Sequence, residues 1–173
     1  VLTAVFLLAL ATGTASGEDL QREFHVAKGK RLTMNIESGG AIRITGWDKE
    51  LVTISVDRHG ADDNECRVDF RETSAGISVA SSYEGRRRNH STGLTFTVNV
   101  PTQFDLELET TGGAIGIDGV EASMNGTTMG GALDLTRLKG LLNLHTMGGR
   151  ITLTNSEVDG EVQTNGGKIL LED

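Results

Sequence analysis

The segment TTGGAIGI at residues 110–117 returns three times with small changes, as TMGGALDL at 128–135, TMGGRITL at 146–153 and TNGGKILL at 164–171. Each copy starts 18 residues after the one before it, without insertion or deletion. A repeat of this length is too short to contain a helix and a strand. Apolar residues at alternate positions after each glycine pair indicate a β-strand with one buried face. The repeat therefore predicts a stack of β-strand coils.

Stacked coils would place equivalent residues in columns, about 4.8 Å apart. The alternating Ile and Leu residues would form a buried column, and the threonine before each glycine pair would form a column of hydroxyl groups. We expect the glycine pairs to form a structural corner with positive φ, which glycine adopts without steric cost. These corner glycines are Gly112, Gly113, Gly130, Gly131, Gly148, Gly149, Gly166 and Gly167.

The predicted fold class is all-β, with a single-stranded parallel β-solenoid (β-helix-like) of 18-residue coils in the C-terminal half, about residues 110–173. The N-terminal part is also β but less regular, and both hairpins and wider coils fit its strands. A fifth glycine pair, Gly39–Gly40, precedes Ile42 and Ile44 but is out of phase with the 18-residue period.

The first 17 residues are typical of a secretory signal peptide. An apolar run at 1–11 is followed by small residues, and it is too short to span a bilayer. We therefore expect a single β-solenoid domain at 18–173 that is exported to the periplasm, the cell surface or the medium, without a transmembrane helix. The chain stops at Asp173 in mid-repeat, and this leaves two expectations open. Either the natural chain continues, or the uncapped C-terminal coil pairs with another protein or with a second copy of the chain.

Several segments together carry a resemblance to a known bacterial family. They are FHVAKGKRLTMNIESGGAIRITGWDKELVTISV at 24–56, VNVP at 98–101 and the four glycine-pair segments. In this order they resemble the putative-adhesin family called domain of unknown function 4097. The resemblance implies a β-solenoid-like fold on the exported side of the membrane. It supplies no catalytic or binding residues.

Charge and aromatic content limit the possible partners. The net charge of −8 excludes a general nucleic-acid-binding surface, which needs a basic footprint. One basic cluster, Arg86–Arg87–Arg88, is a weak candidate for contact with an anionic lipid or polysaccharide. Trp47, the single tryptophan, is either a cap at the end of a sheet or a platform for stacking a sugar.

The sequence contains no motif that indicates catalysis or metal binding. The residues after the glycine pairs are Ala114, Ala132, Arg150 and Lys168, so the carboxylate column of a calcium-binding β-roll is missing. The carboxylates that a glycan-cleaving enzyme needs lie at scattered repeat positions, namely Asp118, Asp134, Glu157, Asp159 and Glu161. We expect no metal, no cofactor and no catalytic site.

These observations predict a non-catalytic envelope or surface protein that acts as an adhesin-like binding module or a scaffold. Its partner would be an unidentified envelope protein or glycan. Two alternatives remain open at this point: an accessory protein of envelope stress or signalling, and a glycan-active β-helix enzyme.

Overall fold

The computed structural model describes residues 20–58, 66–83 and 93–173, and these segments contain strands and turns but no helix. The strands are β1 (Leu20–His25), β2 (Arg31–Ile36), β3 (Ala41–Trp47), β4 (Leu51–Arg58), β5 (Cys66–Thr73), β6 (Gly76–Tyr83), β7 (Leu94–Pro101), β8 (Asp105–Thr110), β9 (Ile115–Asp118), β10 (Glu121–Thr128), β11 (Leu133–Thr136), β12 (Lys139–Thr146), β13 (Ile151–Thr154), β14 (Glu157–Thr164) and β15 (Ile169–Glu172).

These strands form two open sheets. The eight-stranded sheet has the order β1-β4-β7-β3-β9-β11-β13-β15, and the seven-stranded sheet has the order β14-β12-β10-β8-β2-β6-β5. Pairing is antiparallel between β1 and β4, between β4 and β7, and between β5 and β6; the other described pairs are parallel. Both sheets are therefore mixed.

The repeat segments form coils that contribute one strand to each sheet. Residue 121 pairs with 139 and 139 with 157 in the seven-stranded sheet, whereas 133 pairs with 151 and 151 with 169 in the other sheet. Each step is one repeat, so equivalent residues stack as the sequence predicts. Ile115, Leu133 and Ile151 are all fully buried in one such column.

The out-of-phase glycine pair belongs to the same stack. Strand β2 pairs with β8, and β3 pairs with β9, with Ile42 opposite Ile115. The Gly40 N–H donates to the Gly112 carbonyl at 2.8 Å. Residues 31–47 are therefore one more coil, separated in sequence from the next coil by the strands β4 to β7.

The N-terminal strands form both a wider coil and hairpins, which are the two arrangements that fit the sequence. Strands β6 and β7 pair in parallel with β2 and β3, as a wider coil would. Strand β5 forms a hairpin with β6, whereas β1 and β4 extend the other sheet in antiparallel fashion. The Arg22 guanidinium lies over the Phe70 ring, 5.9 Å from its centroid, and links the two edge strands β1 and β5.

One hydrophobic cluster joins the inner faces of both sheets, and its largest fully buried side chains include Phe96, Phe104, Leu32 and Met34. The prediction of an all-β fold is confirmed. A single-stranded parallel β-solenoid is not shown, because both sheets mix parallel with antiparallel strands and neither sheet closes.

Candidate binding surfaces

Buried threonine hydroxyl groups hold the coils in register. The Thr146 hydroxyl donates to the Gly131 carbonyl of the preceding coil at 2.8 Å and accepts the N–H of Gly149 at 3.2 Å. Thr164 repeats this pattern with Gly149 and Gly167, at 2.8 and 3.0 Å. Because each hydroxyl bridges its own coil and the one before it, this column fixes which residues stack on which.

The two glycines of each pair have different environments. A Cβ on the second glycine (Gly113, Gly131, Gly149 or Gly167) would overlap with the backbone of the preceding coil, whereas one on the first glycine (Gly112, Gly130 or Gly148) would meet nothing within 4 Å. The expectation of positive φ is wrong for seven of these eight corner glycines, since only Gly113 has it, at 106°. The second residue of each pair is glycine because the backbones of two neighbouring coils approach closely at that position.

The register set at the corners aligns polar side chains on the outer face of the seven-stranded sheet. Strand pairing places one member of each of two adjacent columns on β8, β10, β12 and β14. The first column is Glu107, Asn125, Asn143 and Glu161, and the second is Glu109, Thr127, His145 and Gln163. Seven of these eight side chains are exposed, and His145 is half-buried.

These columns line two depressions of about 410 and 300 Å³ that share Asn125, Gly126 and Thr127. The two depressions together are called the polar groove here. Its floor lies at Leu108, Gly126 and Leu144. Because the Leu108 and Leu144 side chains are buried, the backbone of these residues faces the polar groove.

Hydrogen bonding within the polar groove is incomplete. The Asn143 amide donates to the Asn125 side-chain oxygen at 3.2 Å, and Arg31 pairs with Glu107 at 3.3 Å. In the described part of the chain, the buried Nε2 atom of His145 has no hydrogen-bond partner. An asparagine or glutamine side chain has two donors and an acceptor, so much of this capacity is available to a ligand.

The last described coil exposes apolar side chains. Ile151 is fully buried, whereas its neighbours one coil later, Ile169 and Leu171, are 45% and 70% exposed. A depression of about 180 Å³ at this end is lined mainly by apolar side chains, among them Leu153, Val158 and Val162. The edge strands β14 and β15 lie beside it.

Of the candidates from sequence, Trp47 lies at the end of β3 and is half-buried. Its indole N–H donates to the Leu51 carbonyl at 2.8 Å, and the Lys49 ammonium lies 4.7 Å from its ring centroid. These contacts favour the sheet-end cap over a sugar-stacking platform. The cluster Arg86, Arg87 and Arg88 lies outside the described residues.

Three of the five scattered carboxylates form ion pairs between neighbouring coils. Asp118 pairs with Arg137 at 2.6 Å, Asp134 with Arg150 at 3.6 Å and Glu157 with Lys139 at 4.0 Å, all at the surface. No group of three or more His, Cys, Asp or Glu residues within 20–58, 66–83 and 93–173 is arranged to hold a metal ion. The same segments contain no helix that is long and apolar enough to cross a membrane.

No protein-family model and no curated protein matches the sequence. The structure is similar to that of a putative cell adhesion protein from Clostridium sporogenes, with a TM-score of 0.55 and 11% identity over 90% of this chain and 99% of that chain. A putative adhesin from Bacteroides fragilis aligns over 91% and 97% of the two chains, with 12% identity and a TM-score of 0.37. The first similarity shows a shared fold.

The polar groove was missed in the sequence because its residues differ in type. Glu107, Asn125, Asn143 and Glu161 follow the same 18-residue step as the glycines, but neither glutamate nor asparagine is diagnostic of a site. The signal in the sequence that points to the polar groove is the 18-residue period itself. Outer-face positions that remain polar at that step predict a column.

Proposed function

We propose that this chain is a non-catalytic, adhesin-like binding module that presents its polar groove to a component of the cell envelope or surface. The observation that carries this proposal is the groove itself, a continuous polar surface of two side-chain columns on a rigid stack of coils. Its side chains are spread along strands and do not converge on one reacting centre, which favours binding over catalysis.

The comparisons also favour a binding function. The solved structure with the shared fold is described as a putative cell adhesion protein, not as an enzyme. This proposal has three further parts. The chain is a member of the family called domain of unknown function 4097, its repeated coils form a solenoid, and residues 1–17 direct its export. An exported binding protein needs a stable scaffold and an accessible face, and the stacked coils provide both.

We expect the groove to account for most of the binding to envelopes. In a double variant, Asn125→Ala with Asn143→Ala, two exposed amide groups are removed from the groove. If each contributes about 1 kcal/mol, the bound fraction at low protein concentration falls about tenfold or more. The measurement is cosedimentation of the purified full chain with isolated envelopes of the source organism.

The control for this experiment is Thr152→Ala, which changes a half-buried residue on the outer face of the eight-stranded sheet. We expect Thr152→Ala to bind like the parent protein. Equal binding of the parent, the double variant and the control would show that the groove is not the binding surface. Thermal unfolding of each variant verifies that all three proteins are folded.

A further inference from the structure

We infer that the ligand of the polar groove is a neutral, linear oligosaccharide that lies across the strands, along the stacking direction of the coils. This inference rests on the proposed function and names the ligand class for the same site. It follows from the spacing, the hydrogen-bonding groups and the charge of the groove.

Spacing is the first argument. The two columns continue onto β2, where Thr33 is opposite Glu107 and Asn35 is opposite Glu109. Five neighbouring strands, from β2 to β14, therefore present the same two outer positions. Four strand spacings give the groove a length of about 19 Å. Such a groove offers a linear polymer similar contacts at each step.

The second argument is the chemistry of the lining. Amide, carboxylate, hydroxyl and imidazole groups alternate along the columns, so donors and acceptors lie close together. Sugar hydroxyl groups both donate and accept, and two adjacent hydroxyls on a ring match the two polar atoms of an Asn or Glu side chain.

The charge of the polar groove favours neutral over anionic polysaccharides. Among the residues that line the two depressions, three are glutamates (Glu107, Glu109 and Glu161) and none is lysine or arginine. The whole chain carries a net charge of −8. Glu107 is paired with Arg31 at 3.3 Å, and the other two glutamates disfavour anionic polysaccharides. A neutral chain of hydroxyl groups meets no like-charge repulsion.

A basic peptide is the competing ligand, and the geometry disfavours it. Extended peptides bind sheets by adding a strand at an edge, with their backbone parallel to the existing strands. The polar groove instead crosses the strands on the outer face of the sheet, from β2 to the edge strand β14. It also lacks apolar side-chain pockets, because Leu108 and Leu144 face the core.

The lining residues include no Trp, Tyr or Phe, so the groove has no aromatic ring on which a sugar can stack. Binding therefore depends on many hydrogen bonds, each worth about 0.5–1.5 kcal/mol. We expect weak binding of short sugars and affinity that rises with chain length until the ligand spans the groove.

The test is a titration of the full chain, observed by NMR chemical-shift changes, with probes of defined chemistry. The neutral probes are maltose, cellobiose and mannobiose with the corresponding hexasaccharides maltohexaose, cellohexaose and mannohexaose; the others are an oligogalacturonate and octalysine. We expect at least one neutral hexasaccharide to bind about tenfold more tightly than the corresponding disaccharide, with little effect of salt. The double variant Asn125→Ala with Asn143→Ala should weaken that binding about tenfold or more, and Thr152→Ala should leave it unchanged.

Three outcomes overturn the inference: no neutral probe binds, binding survives in the double variant, or octalysine or oligogalacturonate binds the groove in preference to the neutral sugars. The envelope experiment separates this failure from a failure of the proposed function. If envelope binding still depends on Asn125 and Asn143 while neutral sugars do not bind, the groove is a binding surface for another class of ligand. If envelope binding is also unaffected, the proposed function fails as well.

Discussion

Gly131→Ala is expected to destabilise the protein by about 4 kcal/mol or more and to lower its melting temperature by about 10 °C or more. The added methyl group would overlap with the carbonyl group of Gly113 and the N–H of Ala114. Both obstacles are backbone atoms of the preceding coil, so no side-chain rotation relieves the overlap. Relief requires separation of two coils that are hydrogen-bonded along their length, and thermal unfolding measured by circular dichroism detects the loss.

Gly130→Ala is the matched control for this prediction, because it changes the neighbouring residue in the same corner. Nothing lies within 4 Å of the position that the added methyl group would take, and the φ of Gly130 is not in the positive region. We expect a change within about 0.5 kcal/mol of the parent protein. Equal destabilisation by Gly130→Ala and Gly131→Ala would show that close approach of the coils is not what requires glycine.

Thr146→Val is expected to cost about 3 kcal/mol although the side chain keeps its size. The Thr146 hydroxyl is fully buried and makes the hydrogen bonds to Gly131 and Gly149 described above. Valine lacks the hydroxyl and leaves the Gly131 carbonyl and the Gly149 N–H without this partner. Each buried polar group left without a partner costs about 1–3 kcal/mol. Urea unfolding of the parent and variant proteins gives the difference in free energy of unfolding.

Thr146→Ser separates the hydroxyl from the methyl group of the same side chain. Serine keeps both hydrogen bonds and loses one buried methyl group, which is worth about 0.8 kcal/mol. We therefore expect Thr146→Ser to be clearly more stable than Thr146→Val. If the two variants are equally unstable, packing of the methyl group, and not the hydroxyl column, stabilises the corner.

Predictions of stacking that depended on the 18-residue period were accurate, whereas the positive φ expected at the corner glycines is found only at Gly113. The period places Ile115, Leu133 and Ile151 in one column, and strand pairing has them in that column. The position of the threonine column also agrees with it. A strict repeat removes most of the ambiguity of β-structure, because a pairing that satisfies one coil satisfies all of them.

Predictions that depended on non-repeating segments were weaker. Gly39–Gly40 is 73 residues before Gly112–Gly113, yet the two pairs are in contact through the hydrogen bond from Gly40 to Gly112. The strands β4 to β7 lie between them in sequence and extend both sheets on the far side of β2 and β3. Sequence separation alone does not indicate which strands are neighbours when a connection leaves the stack and returns.

The sequence by itself determined the all-β class, the repeating coil and the residues at its corners, because alternation and an unbroken period are local properties of the chain. The tertiary structure decided why the second glycine of each pair is needed, since the preceding coil's backbone occupies the place of its side chain. It also decided that Asn125 and Asn143 lie in a groove with Glu107 and Glu161. Both features arise only when residues far apart in sequence are brought within one strand spacing of each other.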